Sequence, residues 1–129
     1  MSNVAVKKKR PVHLNLLQIR QPIPAVVSIL HRASGALLFA AALWLLFLLD
    51  RSLASPEDFQ EVKRYLGFTV VKLAMLVLIW AFAHHFCAGI RYLLLDLHKG
   101  IELPAARMSS VIVFVASLAL TAFFGSKLW

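Results

Sequence analysis

Three long apolar runs constrain the fold of this chain more strongly than any other feature of its sequence. They extend from about Pro22 to Leu49, from Leu73 to Ile90 and from Met108 to Ser126, and only His31 and Arg32 break the apolar character of the first. Each is close to the ~20 residues that a helix needs to cross the hydrocarbon of a bilayer. Because lipid cannot satisfy backbone polar groups, three spans predict three helices.

The predicted fold is therefore all-α: an integral membrane protein with a single membrane-anchor domain. Its three transmembrane helices are expected at about 22–49, 66–95 and 105–127, after a cytoplasmic N-terminal segment 1–21. The composition agrees, because 60% of the residues are hydrophobic whereas soluble domains are closer to about half. Three short-looped helices cannot enclose a large cavity alone, so we expect them to be part of a hetero-oligomeric helical bundle.

The charged residues predict an orientation in the membrane. Before Arg32 the chain has five basic residues and no acidic one, whereas residues 50–64 contain three basic and four acidic residues. By the positive-inside rule, the N-terminus and the second loop, near residues 96–107, are cytoplasmic. The first loop and the C-terminus are then on the far side of the membrane. Within the first loop, Ser55-Pro56 followed by two acids predicts the start of a short surface helix.

The same composition excludes several classes of function. The net charge is +8, but the basic residues lie mostly outside the apolar runs and no nucleic-acid motif accompanies them, so we expect membrane lipid and no nucleic acid as a partner. Cys87 is the single cysteine and lies within an apolar run. A ligated iron–sulfur cluster, structural zinc or an internal disulfide within this chain is therefore not expected, and Cys87 is interpreted as a packing residue.

Polar side chains occupy the beginning of the first span, where a bilayer makes them costly. The polar and small residues recur at i, i+3, i+4 and i+7, which is one face of a helix: Ser28, His31, Arg32 and Gly35. An arginine at mid-membrane costs about 3 kcal/mol on insertion scales. Such a face suits an acceptor-rich ligand at the membrane rim, such as a quinone carbonyl or a carboxylate. Alternatively, Arg32 reaches the headgroups and Ser28 bonds to its own helix.

A second polar group lies in the second span. One face carries His85, Gly89, Tyr92 and Asp96, and an adjacent face carries His84, Ala88 and Arg91. A histidine followed four residues later by glycine is compatible with haem, because the imidazole ligates iron while the glycine makes room for the porphyrin. Spacing alone leaves both histidines possible, although Gly89 favours His85. The alternative is a neutral histidine bonded to a neighbouring helix.

Three motifs resemble the cytochrome b556 membrane-anchor subunits of bacterial succinate dehydrogenase, or respiratory complex II. They are RPVHLNL at 10–16, SILHRASG at 28–35 and HFCAGIRYLLLD at 85–96. The resemblance covers nearly the whole chain, including the number and spacing of the spans. It implies an electron-transfer anchor that works only within a larger complex.

The resemblance also implies roles for individual residues. His85 matches the axial ligand of haem b, and the second ligand is expected from the other anchor subunit. Ser28 and Arg32 match residues of the quinone-binding site, and His31 and Arg32 match positions near the haem propionates. His84 is an additional histidine beside the ligand.

In the resembled complex, a flavoprotein subunit oxidises succinate, an iron–sulfur subunit carries the electrons, and ubiquinone is reduced in the membrane. The resemblance implies that this chain anchors those subunits, shares one haem b and has no catalytic activity alone. Two alternatives remain open from the residues. One is a haem-free structural anchor of a respiratory complex, and the other is a small transporter subunit with Arg32 and Asp96 in its path.

Overall fold

The computed structural model of the chain describes residues 18–129. Its regular elements are four α-helices followed by a short 3₁₀ turn. The helices are α1 (Ile23–Ala54), α2 (Pro56–Leu66), α3 (Thr69–Asp96) and α4 (Leu103–Gly125), and the turn is Ser126–Leu128. Three of the helices, α1, α3 and α4, are long and apolar enough to cross a membrane.

These three helices confirm the predicted all-α fold with three membrane-length helices. The first helix continues to Ala54, five residues beyond the predicted 22–49, and the others begin within about a turn of the predicted 66–95 and 105–127. The short helix predicted from Ser55-Pro56 is also present as α2. The predicted cytoplasmic segment 1–21 lies mostly outside the described residues.

Local sequence explains where α2 and α3 begin and end. Ser55 caps α2, because its hydroxyl accepts a hydrogen bond from the backbone N–H of Asp58 at 3.0 Å, and Pro56 occupies the first helical position. At the end of α3, His98 adopts a left-handed φ of 58°. The N–H groups of His98 and Lys99 return to the carbonyls of Leu95 and Leu94, which satisfies the last turn and directs the chain toward α4.

The core lies where α3 packs between α1 and α4. Most of its buried residues are small, among them Val27, Ser34, Ala81, Ala83, Ala88, Ser110, Val113 and Ser117, and the two large buried polar side chains are His84 and Arg91. Small side chains let membrane helices approach closely, and each buried serine satisfies its hydroxyl by bonding to a carbonyl of its own helix. Cys87 packs against this core, in agreement with its interpretation as a packing residue.

Large apolar side chains cover the outside of the helices. Phe39 is 81% exposed and Leu43 is 71% exposed, and both lie in the middle of α1. Water would penalise so much apolar surface, whereas lipid or a neighbouring membrane helix would cover it at no such cost. The chain is a multi-pass membrane protein with three spans.

Candidate functional site

His85 lies halfway along α3 and is held by two groups of α1. Its Nδ1 atom is 3.0 Å from the carbonyl oxygen of His31 and 3.2 Å from the hydroxyl of Ser34. The Ser34 hydroxyl in turn donates to the same carbonyl at 2.9 Å. Ser34 is buried and His85 is half-buried, so this contact fixes the ring at the α1–α3 interface while leaving part of it accessible.

These contacts place a proton on Nδ1 of the His85 ring. A carbonyl oxygen can only accept, so the hydrogen bond to His31 requires a proton on Nδ1. The neutral ring then carries a lone pair on Nε2, which has no hydrogen-bond partner among residues 18–129. An imidazole held through Nδ1–H with a free Nε2 is the form in which histidine ligates a metal. The donor set therefore fits an axial ligand of haem iron.

The ring of His31 lies flat against the ring of His85. Their centroids are 4.1 Å apart and their planes differ by 10°, and the centroid of the Tyr92 ring lies 5.1 Å from that of His31. His31 is also the neighbour of Gly89, where a Cβ atom would lie 3.9 Å from His31 Nε2. From the sequence, the space beside Gly89 was predicted to hold a porphyrin. In the structure, His31 lies next to that space.

Gly35 of α1 lies close to the ring of His85. A Cβ atom at this position would lie 2.8 Å from Cε1 of the imidazole and 3.3 Å from Nδ1. Any larger residue would force the ring to move, because real Cβ atoms do not approach other atoms so closely. Gly35 therefore allows α1 to hold the His85 ring directly against its backbone.

Arg32 and Ser28 form a separate unit on a more exposed side of α1. The guanidinium of Arg32 donates to the hydroxyl of Ser28 at 3.2 Å, and Arg32 is exposed. The four residues predicted to share one face of the first helix therefore lie on two sides of α1. His31 and Gly35 face α3, whereas Arg32 and Ser28 keep donors available to a ligand that approaches from outside the three helices.

His84 occupies a different environment from His85. It is completely buried, and its ring lies 5.4 Å from that of Trp80 and 5.6 Å from that of Phe114. Neither ring nitrogen has a well-aligned hydrogen bond within the described part of the chain, although the backbone of Val27 is close. Buried in this way, His84 offers no open position to an external ligand.

The contacts of two polar residues of this region were not predicted from the sequence. Ser34 contacts His85, and Arg91, with 6% exposure, connects α3 to α4. Arg91 donates to the hydroxyl of Ser109 at 3.0 Å and to the carbonyl of Ala106 at 3.4 Å. The i, i+3 spacing of His31 and Ser34 was a usable signal, but nothing local in the sequence indicates the contact between Arg91 and Ser109.

A known family of proteins matches most of this chain. The model of the family described as succinate dehydrogenase/fumarate reductase transmembrane subunit matches residues 6–124. This range includes every residue of the candidate site, from Ser28 on α1 to Ser109 on α4. The match agrees with the resemblance expected from the sequence motifs.

Individual proteins are similar over most of their length. The cytochrome b556 subunit of succinate dehydrogenase from Coxiella burnetii is 37% identical over 124 residues, covering 94% of this chain and 98% of that protein. The cytochrome b556 subunit from Paracoccus denitrificans is 31% identical, covering 86% of this chain and 85% of its own. The mitochondrial cytochrome b560 subunit from Mus musculus is 32% identical, covering 84% of this chain and 66% of its own.

Proposed function

Because the chain belongs to the succinate dehydrogenase/fumarate reductase transmembrane subunit family, we propose that it is the cytochrome b membrane-anchor subunit of a succinate:quinone oxidoreductase. It anchors the flavoprotein and iron–sulfur subunits, shares one haem b with a second membrane-anchor subunit and contributes to the ubiquinone-reduction site. The chain alone has no catalytic activity in this proposal, because succinate oxidation belongs to the soluble subunits.

The observation that carries this proposal is the hydrogen bonding of the two ring nitrogens of His85. Its Nδ1–H is directed at the His31 carbonyl, and its Nε2 is left without a partner in residues 18–129. His85 is therefore the proposed haem ligand, while the buried His84 is a packing residue. A bound haem b would supply one-electron redox chemistry close to the quinone site.

The relation between His31 and His85 supports a ligand from another chain. The rings of His31 and His85 lie flat against one another with their centroids 4.1 Å apart. This distance leaves no room for a metal between the two rings, so this arrangement does not let both bind one iron. The second ligand is then supplied by the partner anchor, and we expect the chain expressed without that subunit to be haem-free.

Ser28 and Arg32 are the proposed quinone-binding residues. Reduction of ubiquinone to ubiquinol adds two electrons and two protons, and negative charge develops on the carbonyl oxygens as the electrons arrive. The exposed guanidinium of Arg32 would stabilise that charge. The Ser28 oxygen accepts from Arg32, which leaves its O–H as a donor for a quinone carbonyl.

His31 and Arg32 are also the proposed partners of the haem propionates. His31 stacks on the ring of His85, Arg32 follows it on α1, and both carry donors that suit carboxylates. Arg32 is the residue that the two roles share. A change at this position is therefore expected to affect both haem and quinone.

We further propose a bacterial inner membrane with a cytoplasmic N-terminus and a periplasmic C-terminus. The excess of basic residues before Arg32 supports this orientation. It brings Ser28 and Arg32, close to the start of α1, to the cytoplasmic rim. Electrons from soluble cytoplasmic subunits would then have the shortest route to the quinone.

A matched pair of variants tests the haem assignment. In the complete solubilised complex, His85→Leu should abolish or strongly perturb the b-type absorption band, whereas His84→Leu should retain it. Oxidation of succinate by a soluble dye, which accepts electrons before the membrane step, reports assembly in both variants. A complex whose wild-type spectrum has no b-type band would instead favour a haem-free structural anchor. Loss of haem in His84→Leu alone would transfer the ligand role to His84.

A further inference from the structure

We infer that Ser34 is a positioning residue. Together with the His31 carbonyl, it holds the His85 ring in one orientation and one tautomer, and so tunes the redox potential of the haem that His85 would ligate. The inference rests on the proposed function, because it concerns the group that His85 would ligate. It adds Ser34 to the residues of this chain that would set the redox potential of the haem.

The three polar groups form a closed triangle. Nδ1 of His85 is 3.0 Å from the His31 oxygen and 3.2 Å from the Ser34 oxygen, and those two oxygens are 2.9 Å apart. The single proton of the Ser34 hydroxyl is directed to the carbonyl, so the serine oxygen presents a lone pair to Nδ1–H. The imidazole proton therefore lies between two acceptors, and both come from α1.

Other buried serines show that this contact is specific. Ser110 and Ser117 are both completely buried, and each hydroxyl bonds to a carbonyl of its own helix. Ser117 repeats the local geometry of Ser34, because it bonds three residues back to Phe114 at 3.0 Å. Among the serines of residues 18–129, Ser34 is the one whose hydroxyl also reaches a histidine of another helix.

The second acceptor has a predictable effect on the ligand. Acceptors at Nδ1–H withdraw the proton from the ring and make Nε2 a stronger donor to a metal. A stronger donor stabilises the oxidised, more positively charged iron and lowers the reduction potential. Removing the Ser34 oxygen leaves only the His31 carbonyl, so the potential should rise. The imidazole of His85 should also rotate more freely about its side-chain bonds.

Three variants of the complete complex test this inference. Ser34→Ala removes the acceptor, Ser34→Thr retains a hydroxyl, and Ser117→Ala removes a buried hydroxyl with the same local bond but no histidine contact. Haem content, the midpoint potential from a spectroelectrochemical titration and the electron paramagnetic resonance signal of the ferric haem are measured for each. The last of these reports the orientation of the axial imidazoles.

The expected result is a more positive midpoint potential and an altered ferric signal in Ser34→Ala, with values near the wild type in Ser34→Thr and Ser117→Ala. An unchanged potential and signal in Ser34→Ala, or an equal shift in Ser117→Ala, would overturn the inference. If Ser34→Ala does not accumulate, Ser34→Cys replaces it under the same criteria, because it fills a similar volume with a poorer acceptor. A wild-type complex without haem would instead overturn the proposed function.

Discussion

The guanidinium of Arg32 donates a hydrogen bond to the hydroxyl of Ser28, one turn earlier on α1, at 3.2 Å. The two residues proposed to bind quinone are thus one unit, in which each orients the other. Removing either residue changes what the second can do.

Arg32→Leu should slow quinone reduction by about 10- to 150-fold, because a hydrogen bond to a charged group is worth roughly 1.5–3 kcal/mol. Ser28→Ala should cost less, since it removes a neutral hydroxyl. Because the residues are bonded to one another, the double variant should lose little more than Arg32→Leu alone. The measurement is the ratio of quinone-linked to dye-linked succinate oxidation in washed membranes, with haem content determined alongside. A normal ratio in both single variants would remove these residues from the quinone site.

Gly35→Ala should lower haem content more than Gly89→Ala. A Cβ at Gly35 would lie 2.8 Å from the His85 ring and displace it, whereas a Cβ at Gly89 would meet His31 Nε2 at 3.9 Å, an ordinary contact. Both changes favour the helix by up to about 1 kcal/mol, so helix stability does not separate them. Haem per assembled complex is the measurement. The reverse order would mean that the porphyrin occupies the space beside Gly89, as the sequence suggested.

His84→Leu should leave the thermal midpoint of the solubilised complex unchanged or raise it. The ring of His84 is completely buried and its nitrogens lack well-aligned partners in residues 18–129. An apolar residue of similar volume removes a desolvation penalty of roughly 1–3 kcal/mol. His84→Ala is the control, and should lower the midpoint because it leaves a cavity. A marked loss of stability in His84→Leu would show that the imidazole nitrogens have a partner in the assembled complex.

Arg91→Ala should reduce the amount and thermal stability of the complex without changing the ratio of quinone-linked to dye-linked activity. Its buried guanidinium joins α3 to α4 through Ser109 and the Ala106 carbonyl, and each bond to a charged group contributes about 1.5–3 kcal/mol. Ser109→Ala should be milder, because the bond to Ala106 remains. If the ratio falls while stability is normal, Arg91 acts on the quinone instead.

Much of the fold could be predicted because it depends on local patterns. Hydrophobic runs of membrane length predict the three long helices. Ser55-Pro56 predicts the start of α2, because the Ser55 hydroxyl caps the helix through a local hydrogen bond that does not depend on tertiary packing. The positions of the helix ends were predicted less accurately. α1 ends at Ala54, beyond the predicted end, because its last turns contain polar residues and a prediction from the apolar run stops before them.

The site could be predicted only in part, because it depends on how the helices face one another. His84 and His85 are about 100° apart on a helix, and only the packing of α4 shows that His84 is the buried one. Ser34 depends on the register between α1 and α3, and Arg91 on that between α3 and α4. The roles proposed for Ser28, His31, Arg32 and His85 stay predictions until the variants are measured.

The uninterrupted course of α1 fixes the depth of the polar site. The helix runs for 32 residues without a break, and at its far end Arg51 forms an ion pair with Asp58 of α2. At 1.5 Å per residue, Arg32 and Arg51 are separated by about 28 Å, close to the ~30 Å of a hydrocarbon core. Removing one residue between them would shorten this distance and turn the site by about 100°. The chain is therefore expected to meet a thinner bilayer by tilting as a whole, with the spacing between its two charged levels unchanged.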